Sequence, residues 1–98
     1  MPPDSTDRDA AAADLARLVR RLRGFSRRAW GHGEAELRVR ALVEALVAIG
    51  GEGHQLPPDL PTHALADVLA VVGRDALNVE GAAPAVRALL LDTLDATR

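Results

Sequence analysis

The residues best able to bind a charged ligand in this 98-residue chain are the arginines concentrated in its N-terminal half. The segment RLVRRLRGFSRRAWGHGE, residues 17–34, holds six of the twelve arginines, although the chain is slightly acidic overall. A guanidinium group donates paired hydrogen bonds to phosphates and carboxylates, so the run could bind nucleic acid or an acidic protein surface. The absence of lysine has a simpler explanation in a GC-rich genome, which would also account for the abundant alanine and glycine.

These six arginines have no predicted partner within their own helices. Four of them lie on the outer face of one predicted helix, where like charges at i, i+3 and i, i+4 repel. Cations in the last turn of a helix are stabilised by its dipole. Arg27 and Arg28 lack this stabilisation, because they would lie at the positive end of a short turn that could begin at Ser26. The unpartnered arginines are Arg17, Arg20, Arg21, Arg23, Arg27 and Arg28.

The charges of the chain are divided between its two halves. Residues 10–49 contain eight arginines and four acids, a net charge of +4, whereas residues 50–98 contain three arginines and seven acids, a net charge of −4. Such a division suits contact between the halves or between copies of the chain. A DNA-reading helix would be the last one, but Asp92 and Asp95 on it would repel phosphates. Contact with protein is therefore favoured over nucleic acid.

Residues for catalysis are scarce. The chain has two serines, Ser5 and Ser26, and no Cys, Lys or Tyr to act as a nucleophile or a tuned base. The carboxylates of the last two predicted helices are expected to face solvent, so no buried acid–base pair is predicted: Asp67, Asp75, Asp92 and Asp95. We therefore predict that the protein is not an enzyme and has no catalytic residue and no cofactor.

Metal binding is equally weakly indicated. The three histidines are His32, His54 and His63, and the first two lie in glycine-rich segments, where histidines are commonly exposed. His63 and Asp67 share a helix face at i, i+4, but the helical motif of paired histidines is absent. No metal site is predicted.

Phe25 and Trp30 are the only large aromatic residues, and both lie in the junction FSRRAWGHG, residues 25–33. Aromatic rings among basic residues could stack on nucleotide bases. Two scarce aromatic residues at a corner between helices more often close the end of a hydrophobic core, which is the favoured interpretation.

The elements that must position these residues are predicted to be helices, because the chain has 19 Ala, 15 Leu and 9 Val but only one Ile. After a flexible tail over residues 1–6, residues 7–98 form a single domain. Its first helix ends at Gly24, and the second runs over residues 34–49 with Glu36 and Arg40 paired. The third begins after Thr62 and continues through Gly73 to about Glu80. The fourth begins near Pro84.

The predicted fold is all-α, a small four-helix bundle in which neighbouring helices are mostly antiparallel. A Gly/Pro-rich loop of 12 residues, GGEGHQLPPDLP at 50–61, joins the second and third helices. It could be a binding surface or only a return of the chain to the bundle. Eleven apolar residues at helical spacing are expected to be buried: Leu15, Leu18, Leu22, Leu42, Leu46, Leu65, Leu69, Val72, Leu89, Leu90 and Leu94.

The predicted function is that of a non-catalytic protein–protein interaction module, either a homodimer or a small companion subunit of a larger protein. One alternative is a small regulator that contacts nucleic-acid phosphates through the Arg17–Arg28 region. Another is a small-molecule-binding bundle in which Trp30 and the 50–61 loop close a pocket. Leu91 is predicted to point outward beside Asp92. The candidate interaction residues are Arg17, Arg20, Arg21, Arg27, Arg28, Trp30 and Leu91.

The sequence also indicates where the protein acts. No apolar run approaches the ~20 residues needed to cross a bilayer, so no membrane partner is predicted. The N-terminal sequence MPPDSTDRD is acidic and lacks the basic-then-apolar order of a secretory signal. A cytoplasmic location is expected.

Overall fold

The computed structural model describes residues 3–31, 33–50 and 59–97, and all regular structure in these ranges is helical. Five α-helices and one 3-10 turn follow one another along the chain: α1 Pro3–Arg23, α2 Arg27–Gly31, α3 Glu34–Gly50, the turn Thr62–Ala64, α4 Leu65–Leu77 and α5 Ala83–Ala96. The all-α prediction is confirmed.

Several boundaries differ from those predicted. The junction closes into α2, a fifth helix, where the Ser26 hydroxyl accepts a hydrogen bond from the Ala29 N–H at 3.1 Å and so caps its first turn. α1 begins at Pro3, inside the predicted tail. α4 ends at Leu77 rather than at about Glu80, and Val79 beyond its end is exposed. Most of the predicted 50–61 loop, residues 51–58, lies outside the described residues.

The helix directions do not confirm the prediction of mostly antiparallel neighbours, because the two most extensive helix contacts are parallel. α1 packs most extensively against α5, and α3 against α4. α1 and α5 run parallel, since Arg87 contacts Asp14 and Arg21 contacts Leu94, with the same sequence separation of 73 residues in both pairs.

α3 and α4 also run parallel. At one end the Thr62 hydroxyl donates a hydrogen bond to the Glu36 carboxylate, and at the other the backbone of Gly50 lies against Asp75 and Ala76. The connection of eleven residues between Gly50 and Thr62 is long enough to permit this arrangement.

The contact between α1 and α4 is antiparallel and depends on Gly73. Arg8 donates a hydrogen bond to Asn78 near one end, and Arg23 pairs with Asp67 at the other. Between them, a Cβ added to Gly73 would lie 2.7 Å from Leu15 Cδ1. The prediction of a continuous helix through Gly73 is confirmed, and the residue allows the close approach of Leu15.

The core lies between the four longer helices. Leu18, Leu46, Leu65, Leu69 and Leu90 are completely or almost completely buried. All the leucines and the valine predicted to be internal are buried except Leu89, which is half-buried at the edge of the core. Among the described residues, no helix combines the length and the apolar composition that a membrane span needs.

Candidate functional site

A groove between the parallel helices α1 and α5 brings together three of the predicted interaction residues. Arg17 and Arg21 line it from α1, whereas Leu91, Leu94 and Asp95 line it from α5. Its volume is about 480 Å³. We call it the α1–α5 groove. The sequence predicted these residues for an interaction without any indication that they were neighbours.

The side chains of the α1–α5 groove differ in how far they reach solvent. Leu94 is buried beneath it, whereas Leu91 is 41% exposed, as predicted for an outward leucine. Arg17 and Asp95 are exposed. Arg20 is exposed on the same helix but does not line the groove. The surface thus combines a partly exposed apolar side chain with charges of both signs.

Arg21 has a second, structural contact that the sequence did not reveal. Its Nη1 donates a hydrogen bond at 2.7 Å to the backbone carbonyl of Leu94. This carbonyl belongs to the last turn of α5, where carbonyl groups lack backbone partners within the helix, and it also accepts a hydrogen bond from the Thr97 hydroxyl at 3.5 Å. Arg21 therefore joins the two helices and is half-buried, unlike Arg17 and Arg20. Neither of those two forms an ion pair or a hydrogen bond through its side chain within the described part of the chain.

The remaining arginines of the run are directed elsewhere. Arg23 Nη2 pairs with Asp67 Oδ1 at 2.8 Å, and both side chains are largely exposed. Arg28 is exposed on α2. The position of the Arg27 side chain lies outside what the structure describes. The five arginines of the run whose side chains are described therefore do not act as one set, because Arg21 contacts α5 and Arg23 pairs with α4.

A second concavity lies at the end of the molecule near α2 and contains Trp30. Phe25 and Trp30 meet edge to face with ring centroids 5.3 Å apart and an interplanar angle of 63°. Both rings are half-buried against the core, in agreement with the predicted closing role. Both also line a cleft of about 700 Å³, which we call the aromatic cleft.

The other walls of the aromatic cleft come from three helices and the 3-10 turn. Buried Leu22 and Ala66 add to its apolar lining. Five polar or charged residues complete it: Arg23, Glu36, Thr62, His63 and Asp67. The opening therefore has charged groups, whereas the inner wall is apolar and aromatic.

Glu36 is held in place by neighbours from its own helix and from the start of the next. Its Oε1 accepts hydrogen bonds from Arg40 Nη2 at 3.0 Å and from the Thr62 hydroxyl. Arg40 Nη2 also donates to the Leu60 carbonyl at 2.7 Å. The hydrogen bond from Thr62, followed by that from Arg40, lowers the pKa of the Glu36 carboxyl. The predicted Glu36–Arg40 pair is confirmed.

Of the three histidines, the structure describes only His63. His63 is exposed at the opening of the aromatic cleft, whereas His32 and His54 lie outside the described residues. Within residues 3–31, 33–50 and 59–97, no three His, Cys, Asp or Glu side chains form a group that could hold a metal ion.

Comparison with known proteins finds no protein-family model, no curated protein and no solved structure that matches the chain. Its function is therefore inferred from the two surfaces described above.

Proposed function

We propose that the protein is a non-catalytic interaction module that contacts another protein, in the first place a second copy of itself, through the α1–α5 groove and the charged residues beside it. The single observation that carries this proposal is the position of Arg17, Arg21 and Leu91 along one groove. The parallel packing of α1 and α5 places the basic end of one helix beside the acidic end of the other.

Charges of both signs on one surface favour a second copy as the partner. A dimer with two-fold symmetry places the same surface on both sides of the interface. The exposed Arg17 and Arg20 of one copy can then face the exposed Asp92 of the other. Pairs of this kind guide association and orientation more than they add affinity.

The apolar part of the interface is expected to be Leu91. Its side chain is 41% exposed, although a leucine stabilises a protein more when it is buried. One turn before Arg17 and Leu91, respectively, the chain has the small exposed residues Ala13 and Ala88. Small side chains at these places leave room for a helix of the partner to approach closely.

A companion protein with an acidic helix would use the same groove, whereas nucleic acid is less favoured. The carboxylate of Asp95 lines the groove together with Arg17 and Arg21, and Asp92 is exposed on the same helix. Arg23 is already paired with Asp67. Phosphate binding would therefore encounter nearby negative charge and would have fewer available guanidinium groups.

The test is the molar mass in solution, measured by size-exclusion chromatography with light scattering over a range of concentrations. Leu91→Ser and Arg17→Glu should each shift the equilibrium towards monomer. The matched controls are Leu37→Ser and Arg38→Glu, the same changes at exposed positions of α3, and they should leave it unaltered. Arg21 is unsuitable for charge reversal because its hydrogen bond to α5 supports the fold.

Two results would refute self-association through this groove. The first is a dimer that is weakened by the α3 controls as much as by the groove variants. The second is a strict monomer at all concentrations. If such a monomer retards duplex DNA or RNA with a steep dependence on salt, the nucleic-acid alternative replaces the proposal.

A further inference from the structure

The aromatic cleft is a feature that self-association through the α1–α5 groove does not use. Its volume of about 700 Å³ lies within the range of small-molecule sites, which is roughly 300–1,000 Å³. It also contains the chain's only Phe and only Trp.

The inner wall of the cleft suits a short apolar or aromatic group. Leu22 and Ala66 are buried side chains that form part of the lining. Phe25 and Trp30 meet at a steep angle, so their ring faces are not stacked on each other. An aromatic face attracts a nearby cation through its quadrupole, and Trp does so most strongly.

The charged groups at the opening favour a positive ligand. Apart from His63, they are the two carboxylates of Glu36 and Asp67 and the single guanidinium of Arg23. Arg23 is already paired with Asp67 at 2.8 Å. Glu36 is the other carboxylate of the lining, and its own charged partner, Arg40 at 3.0 Å, lies outside the lining.

Glu36 presents one oxygen for a ligand. Arg40 and Thr62 both donate to its Oε1, and within the described residues no group donates to its Oε2. Because both neighbours stabilise the ionised form, their hydrogen bonds lower the pKa of this carboxyl. The side chain is only 28% exposed, so its orientation is restricted before any ligand arrives.

We propose that the aromatic cleft binds a small organic cation, a primary ammonium carried on a short aromatic body. The ammonium donates a hydrogen bond to Glu36 Oε2, and the ring lies against Phe25, Trp30 and Leu22. A hydrogen bond between two charged groups is stronger than one between neutral groups, so the ammonium supplies most of the selectivity.

The fluorescence of Trp30 provides a direct measurement, since the chain has no other Trp and no Tyr. Three probes share one phenyl body and differ in the polar group: 2-phenylethylamine, 2-phenylethanol and phenylacetate. The amine should bind about tenfold more tightly than the alcohol, and phenylacetate more weakly still. This series needs no variant. Equal affinities for amine and alcohol, tighter binding of phenylacetate, or no binding of the amine at millimolar concentration would each overturn the proposal.

Variants then locate the site. Glu36→Gln should weaken binding of 2-phenylethylamine about tenfold and leave the affinity for 2-phenylethanol unchanged. Glu34→Gln is the matched control, because Glu34 is exposed at the start of the same helix and does not line the cleft. Far-UV circular dichroism shows whether each variant is folded. A folded Glu36→Gln variant that retains the full affinity for the amine would refute the role of this carboxylate.

Discussion

Gly73→Ala is expected to destabilise the protein even though alanine is the better helix former. Gly73 is buried inside α4, where it faces Leu15 of α1. A Cβ at this position would lie 2.7 Å from Leu15 Cδ1, 2.8 Å from Cδ2 and 3.3 Å from Cγ. Favourable contacts between carbon atoms lie at about 3.5–4.0 Å, so Leu15 or one of the helices must move by almost an ångström.

Two opposing effects determine the magnitude. Inserting a methyl group into a well-packed core typically costs about 1–3 kcal/mol. Replacing glycine by alanine inside a helix contributes about 1 kcal/mol of stability. The net loss in Gly73→Ala is therefore about 0–2 kcal/mol. When Leu15 is already alanine, the conflicting atoms are absent, and the same substitution should stabilise the protein by about 1 kcal/mol.

The measurement is a double-mutant cycle of urea unfolding on the wild type, Gly73→Ala, Leu15→Ala and the double variant. The coupling energy should be about 1–3 kcal/mol in favour of the double variant. Gly50→Ala serves as a control, because a Cβ there would meet only ordinary contacts of 3.7 Å or more. If Gly73→Ala changes the free energy of unfolding equally in both backgrounds, the close approach to Leu15 does not explain the glycine.

Two further predictions concern the core and the Glu36 cluster. Leu46 is completely buried, so Leu46→Ala should lower the free energy of unfolding by about 2–5 kcal/mol, and a loss below about half a kcal/mol would show that α3 is not central. The pKa of Glu36 is lowered by folding, so its stabilising effect is complete above the unfolded-state pKa and disappears as the pH falls through the folded-state value. Urea unfolding at several acidic pH values should therefore show a smaller loss of stability in Glu36→Gln than in the wild type, and equal losses would contradict this assignment.

The residues that follow a local period were predictable from the sequence. Leu15, Leu42 and Leu69 are buried because helical spacing places each on a continuous apolar stripe. The same spacing predicted an outward Leu91. The pair of Glu36 and Arg40 was also predictable, since residues four apart on a helix are always neighbours.

The short helix α2 was only partly predictable. Ser26 signals the start of a turn, but its flanking arginines are unfavourable near a positive helix end. The contact of Phe25 with Trp30 and the core offsets this disadvantage. Packing between distant parts of the chain therefore decides whether such a marginal segment forms a helix.

The candidate sites required the tertiary structure, because each combines residues far apart in the chain. No spacing rule connects Arg21 with the carbonyl of Leu94, or Glu36 with Thr62. The sequence predicted no partner for Arg23 within its own helix, and its partner Asp67 lies on another helix. The arginine run was thus divided among separate contacts that its own sequence does not specify.

The sequence determined which face of each helix is buried, whereas only the tertiary structure determined the direction in which neighbouring helices run. The apolar stripe of a helix indicates which side of the helix is buried, and it depends only on residues within a few turns of one another. The stripe does not indicate whether the neighbouring helix runs parallel or antiparallel, because an apolar face can pack against a helix of either direction. Eleven residues, 51–61, lie between α3 and the turn at Thr62, and they are enough for either arrangement. Only the contacts of Glu36 with Thr62 and of Gly50 with Ala76 decided that these helices run parallel.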